Sequence, residues 1–123
     1  MKRKADQANQ LSEAWKHART EAMERSQAKN NSKGTQDNLR RNAIYVGQEF
    51  ERLGINGPHE IRREDFLKWL GGLKEGILGT KKLGVSTIKK RVETLRAILQ
   101  ACKLHEQLDY VDLWKPEKEI KEI

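Results

Sequence analysis

The sequence contains one cysteine, Cys102, and two prolines, Pro58 and Pro116. A single thiol excludes an internal disulfide framework and any metal site built from several cysteines. No apolar run approaches the roughly 20 residues that cross a bilayer, and no apolar signal core follows the basic start of the chain. The sequence therefore predicts a cytoplasmic protein without a membrane span.

Alternating β-branched residues, which mark strands, are also missing, and every periodic pattern has helical spacing. The 123 residues are 36% hydrophobic and 35% charged. That composition supports one modest core. We expect a single all-α domain and exclude a large enzyme with an interior cleft.

Apolar spacing, capping residues and glycines predict four helices. The first covers residues 7–28. The second covers residues 35–53, with the Thr35 hydroxyl as its N-cap and Gly54 as a left-handed terminator. The third covers residues 63–74.

The fourth helix is predicted from a Ser86 N-cap to about residue 105, after a flexible, glycine-rich connection over residues 75–85. Its apolar stripe consists of Ile88, Val92, Leu95, Leu99 and Cys102. The tryptophans fall on or near the apolar stripes, which favours core packing over base stacking for Trp15, Trp69 and Trp114.

Positive charge is concentrated in two stretches of the chain. The net charge is +7 overall, with +4 in residues 1–34, zero in 35–79, +6 in 80–105 and −3 in 106–123. Such patches favour a polyanionic partner. We divide the chain into a basic segment with the first helix and a loop (1–34), the remaining helical domain (35–116) and the start of an acidic linker (117–123).

The second basic stretch contains only one acidic residue, Glu93, so most of its cations lack a local ion-pair partner. These cations are candidate phosphate contacts: Lys81, Lys82, Lys89, Lys90, Arg91, Arg96 and Lys103. The alternative is a solvated amphipathic helix. Within the set, Lys89, Arg96 and Lys103 recur every seven residues and predict a basic ridge along one helix edge.

The start of the second helix combines phosphate-binding groups with amides and guanidinium groups that read base edges in the major groove. The candidates are Lys33, Thr35, Gln36, Asn38, Arg40 and Arg41. An ordinary polar cap and loop would have a similar composition. No metal or cofactor is expected, because His17, His59 and His105 lack the spacing of metal ligands.

Four segments carry a resemblance to a known family. In chain order they are Leu53-Gly54-Ile55, Glu60-Ile61-Arg62-Arg63-Glu64-Asp65-Phe66, Val85-Ser86-Thr87-Ile88 and Leu95-Arg96-Ala97-Ile98-Leu99-Gln100-Ala101, followed by Trp114-Lys115-Pro116. With them, residues 7–116 resemble the core-binding, SAM-like domain of tyrosine recombinases, the phage integrase family. Arg62 stands where that family usually has Thr.

The resemblance implies a four-helix SAM-like domain that grips duplex DNA during the recombination and integration of mobile elements. In the family a separate catalytic domain cuts the DNA, so this chain is expected to be non-catalytic, with Tyr45 and Tyr110 as structural residues. A catalytic domain C-terminal to this chain, or other recombinase protomers, would be partners beside double-stranded DNA. The resemblance implies a bacterial or phage-encoded protein that is cytoplasmic and associated with the nucleoid.

A second hypothesis stays open. The chain would then be a helical protein-interaction module, or a small regulator of a mobile element, whose basic faces meet an acidic protein. The salt dependence of binding affinity separates the two hypotheses. Binding to DNA displaces counterions, so the logarithm of the affinity falls steeply with the logarithm of the salt concentration.

Overall fold

The computed structural model describes residues 11–79 and 81–114. That part contains five α-helices and one short 3-10 helix, Pro58–Glu60, between α2 and α3. The α-helices are α1 (Glu13–Ala28), α2 (Lys33–Arg52), α3 (Arg63–Glu75), α4 (Val85–Ala101) and α5 (His105–Asp112). The all-α prediction is confirmed, with one helix more than the four predicted.

Three helices form the centre of the domain: α1 packs against α2 and α4, and these two pack against each other. α5 packs against α4 and α3. The stripe predicted for the first helix is buried at Leu11, Trp15, Ala18 and Ala22. α1 itself begins at Glu13, where the Ser12 hydroxyl accepts a hydrogen bond from the Trp15 amide. Residues 7–10 of the predicted helix, like the predicted linker 117–123, lie outside the described residues.

The three tryptophans pack in the core, as predicted. Phe50 stacks between Trp15 and Trp69, with ring centroids 5.6 and 4.8 Å away. Trp114 meets the edge of Phe66 at an interplanar angle of 88°. These contacts connect α1, α2 and α3 with the segment after α5, so the aromatic residues fix the arrangement of the helices.

The N-terminus of α2 differs from the prediction, and its C-terminus agrees with it. Ser32, rather than Thr35, is the N-cap: its hydroxyl accepts a 3.2 Å hydrogen bond from the Thr35 amide. At the other end Gly54 has a φ of +83°, and the Ile55 amide donates to the Phe50 carbonyl at 3.0 Å. This is a glycine-terminated helix end of the expected kind.

The connection after α3 is folded against the domain rather than loosely attached to it. Leu78 is buried, and a Cβ on Gly72 would lie 2.6 Å from it. The Leu83 amide also donates to the Leu73 carbonyl at 3.1 Å. The predicted loop is present between α3 and α4, and Leu78 anchors it to the domain because Gly72 leaves room for that side chain.

The limits of α4 also differ from the prediction. The N-cap is Gly84 rather than Ser86, which lies within the first turn. The helix ends at Ala101 because Lys103 takes a left-handed conformation, with a φ of +57°. The chain then enters α5, which the sequence analysis did not predict because no glycine or proline marks the break.

Candidate nucleic-acid interface

A groove of about 580 Å³ lies between α2 and α4. We call it the α2–α4 groove, and it brings together residues from both predicted binding sets. From the second-helix set it contains Thr35, Asn38 and Arg41, and from the fourth-helix set Lys89, Lys90 and Arg91. Side chains from two helices that are far apart in the sequence thus share one concave surface.

The α2 wall follows from helix geometry. Thr35, Asn38 and Arg41 are three residues apart, and this spacing keeps side chains on one helix face. Arg41 donates a 3.2 Å hydrogen bond to the Asn38 side-chain oxygen and forms no ion pair with any described residue. This wall presents a guanidinium, an amide and a hydroxyl to the groove.

The α4 wall supplies two exposed lysines, Lys89 and Lys90. Neither forms an ion pair within residues 11–79 and 81–114. The wall also contains Glu93, whose carboxylate lies 3.7 Å from Arg96. Arg41, Lys89 and Lys90 therefore give the groove a surplus of positive charge.

Arg91 lies within the groove lining but is not the surface cation that was predicted. Its side chain is 8% exposed, and its Nε donates to Glu49 Oε2 at 2.9 Å. Nη1 donates to the Asn42 side-chain oxygen at 3.0 Å, and the guanidinium carbon lies 4.7 Å from the centre of the Tyr45 ring. Arg91 has no partner close in the sequence, as predicted, but its charge is paired with the distant carboxylate of Glu49.

Glu49 completes a buried polar network between three helices. Its second carboxylate oxygen accepts a 3.0 Å hydrogen bond from Trp69 Nε1 of α3. Burial raises the pKa of the Glu49 carboxyl above its ordinary value, while the charge of Arg91 and the hydrogen bonds from Arg91 and Trp69 oppose that rise. A buried carboxylate needs such partners, since its desolvation is costly.

Three residues predicted at the start of α2 lie outside the groove lining. Lys33 is exposed at the first residue of the helix. Gln36 donates to the Asn31 carbonyl at 2.8 Å, and Arg40 pairs with Asp37 at 2.7 Å. The side-chain amide of Gln36 and the guanidinium of Arg40 are thus engaged locally, and the structure does not group them with the other candidate base readers.

The predicted basic ridge on the fourth helix does not form. Arg96 lies 3.4 Å from Asp112 of α5 and 3.7 Å from Glu93, so its charge is paired. Lys103 follows the end of α4. Lys89 alone of the three ridge residues lines the α2–α4 groove, because the helix is shorter than predicted and α5 supplies an acid.

The remaining predicted cations, Lys81 and Lys82, are exposed in the segment before α4. A Cβ on Gly76 would lie 2.7 Å from the Lys82 backbone nitrogen. This segment therefore lies against the end of α3, outside the groove lining.

A second groove, of about 360 Å³, lies between α1, the 3-10 helix and the end of α4. We call it the α1–α4 groove. Lys103 lies here, together with Ala14, His17, Ala18, Glu21, Pro58, His59, Ala101, Cys102 and Leu104. Burial and the nearby charge of Glu21 raise the pKa of the Cys102 thiol, so this groove holds a thiol that stays protonated to higher pH than an ordinary cysteine.

Asn42 and Tyr45, which line the groove, and Glu49, which pairs with Arg91, were not predicted from the sequence. They lie three and four residues apart, so a single face of α2 carries all three. A carboxylate at position 49, between the buried Val46 and Phe50, was the available signal, since an acid next to an apolar stripe requires a partner.

Within the described ranges, no group of three or more histidine, cysteine or acidic side chains could hold a metal ion. The described helices also include none with the length and apolar character of a membrane span. No family model, curated protein or solved structure matches this chain. The fold and the site together define a small all-helical domain with a basic groove between two helices.

Proposed function

We propose that this chain is a duplex-DNA-binding module. The observation that carries the proposal is the α2–α4 groove, where Arg41, Lys89 and Lys90 lie without ion-pair partners among the described residues beside the amide of Asn38. Unpaired cations attract phosphates, and amides and guanidinium groups read base edges.

Two kinds of contact follow from the two walls. Lys89 and Lys90 are point charges on flexible stems and suit phosphate oxygens. Asn38 and Arg41 lie together near the start of α2, and asparagine and arginine are the side chains that read adenine and guanine. In the proposed complex, Lys89 and Lys90 of α4 hold the backbone, while Asn38 and Arg41 of α2 read sequence.

We further propose that the module acts as the core-binding domain of a tyrosine recombinase acts, by gripping a core site without cutting it. The order of helices and the resemblance of residues 7–116 support this proposal. The fifth helix, α5, would then be an addition to the four-helix SAM-like arrangement, packed on α3 and α4. The partners proposed are double-stranded DNA and a catalytic domain or neighbouring protomers.

The test is the fluorescence anisotropy of a labelled duplex of mixed sequence, titrated with the chain at several salt concentrations. The two proposed phosphate contacts, from Lys89 and Lys90, predict that log K falls against log salt with a slope of about −1.8, at roughly −0.9 per phosphate. Absence of binding at low salt would contradict the proposal.

The alternative is a module whose basic faces bind an acidic protein. The affinity for that protein should fall less steeply with salt than the affinity for a duplex, because packed interfaces depend less on displaced counterions. A covalent-adduct assay on a nicked duplex tests the non-catalytic proposal in the same preparation. A tyrosine–DNA adduct would contradict it.

A further inference from the structure

Arg91 is buried at the α2–α4 groove and is held on three sides. Glu49 accepts from Nε, Asn42 accepts from Nη1, and the Tyr45 ring lies under the guanidinium plane. Trp69 in turn holds the other oxygen of Glu49. Residues of α2 and α3 therefore fix the plane and direction of one guanidinium group on α4.

The guanidinium still has unused donors. An arginine has five N–H groups, and the structure gives Arg91 one hydrogen bond through Nε and one through Nη1. Nη2 makes none with the described residues. The second N–H of Nη1 and the two of Nη2 therefore have no acceptor among the described residues, and Arg91 lines the groove.

The charge of Arg91 argues against a role as a phosphate anchor. Glu49 neutralises it at 2.9 Å, so Arg91 adds little to the net attraction of the groove. The exposed and unpaired Lys89 and Lys90 supply that attraction instead. What Arg91 retains is a fixed fork of donors, and a fork matches paired acceptors such as O6 and N7 of guanine.

We infer that Arg91 is a specificity-determining residue that donates to a guanine edge in the α2–α4 groove, and that Glu49 and Asn42 are its positioning residues. The inference rests on the proposed DNA-binding function. It predicts that loss of the fork lowers sequence discrimination and leaves the salt dependence unchanged. A residue with a purely structural role would change neither quantity in a folded variant.

The experiment first selects duplexes from a randomised pool with the wild-type chain. The affinities for the selected duplex and for a scrambled duplex then give a discrimination ratio, measured at several salt concentrations. Arg91→Lys keeps the charge and removes the fork. Asn42→Ala frees Nη1 at a half-buried position where folding is expected to persist, and Glu49→Gln keeps the volume of the buried side chain. Circular dichroism checks the fold of each variant.

The expected result is a fall in the discrimination ratio of about tenfold for Arg91→Lys. Folded Glu49→Gln and Asn42→Ala should both lower it severalfold. The salt slope should stay unchanged in Asn42→Ala, whereas Glu49→Gln removes the charge that neutralises Arg91 and should steepen the slope. The matched control, Lys90→Ala, should reduce the slope and keep the ratio.

An unchanged ratio in folded Arg91→Lys would overturn the inference, and so would a parallel loss on both duplexes, which would indicate a phosphate contact. An unchanged ratio in Asn42→Ala and in folded Glu49→Gln would overturn the positioning roles. If the wild-type chain binds no duplex, the proposed function fails instead, so the two failures are distinguishable.

Discussion

Two grooves border α4, and they differ in the charge that they present. The α2–α4 groove holds Arg41, Lys89 and Lys90 without acidic partners among the described residues, while the α1–α4 groove holds Lys103 beside Glu21 and several small side chains. The basic stretch 80–105 supplies cations to both. Its net charge therefore does not show which face binds a polyanion, since the packing of α4 divides the charge between two surfaces.

The largest expected effect is on the stability of the fold, to which Arg91 should contribute in addition to lining the groove. Arg91→Ala leaves the buried Glu49 carboxylate without its ion-pair partner, and breaking a buried pair in this way costs about 3 to 5 kcal/mol. Urea denaturation measures the free energy of unfolding. Lys103→Ala, in the other groove, should change that free energy by less than about 0.5 kcal/mol, and equal effects of the two variants would remove the distinction.

Charge reversal sharpens the comparison at the level of binding. The double variant Lys89→Glu, Lys90→Glu places two acids where phosphates are proposed to lie, so duplex affinity should fall by more than about tenfold at low salt. Lys103→Glu is a single reversal in the α1–α4 groove, half the charge change of the double variant, and should lower affinity less than about twofold. Anisotropy titrations measure both. If Lys103→Glu lowered duplex affinity more than the double variant does, the α1–α4 groove rather than the α2–α4 groove would be the binding surface.

A single truncation gives a smaller and more specific effect. Lys89→Ala removes one proposed phosphate contact, so the magnitude of the salt slope should decrease by about one on unrelated duplexes. Arg96→Ala should leave the slope unchanged, because Arg96 is already paired with Asp112 and Glu93. If Arg96→Ala decreased the magnitude of the slope as much as Lys89→Ala does, Arg96 would contact a phosphate despite its ion pairs.

The smallest effect concerns the thiol of the α1–α4 groove. Because burial and Glu21 raise the pKa of Cys102, less thiolate is present at a given pH and alkylation by iodoacetamide should be slower than for a free cysteine. The midpoint of the rate against pH should also lie higher. Glu21→Gln should lower that midpoint, and denaturant should restore the ordinary rate. A native rate equal to that of a free thiol would contradict the shift.

The sequence predicted most of the helices but fewer of the site residues. The limits of α3 were right to within one residue, and Gly54 ends α2 with the predicted positive φ. These features depend on residues close together in the chain. Six of the thirteen predicted binding residues line the α2–α4 groove. Arg91 and Arg96 differ from the prediction because their acids, Glu49 and Asp112, come from other helices.

What the sequence by itself determined is the helical class and the apolar stripes, because these follow from periodicity within each helix. Only the tertiary structure decided which cations stay unpaired. Glu49 is 42 residues from Arg91 in the chain, and periodicity carries no information about a partner at that distance. The fold buries Arg91 against that acid and leaves Lys89 and Lys90 exposed. Arg91 lies on the face of α4 that packs against α2, and the two lysines lie on the face that meets solvent.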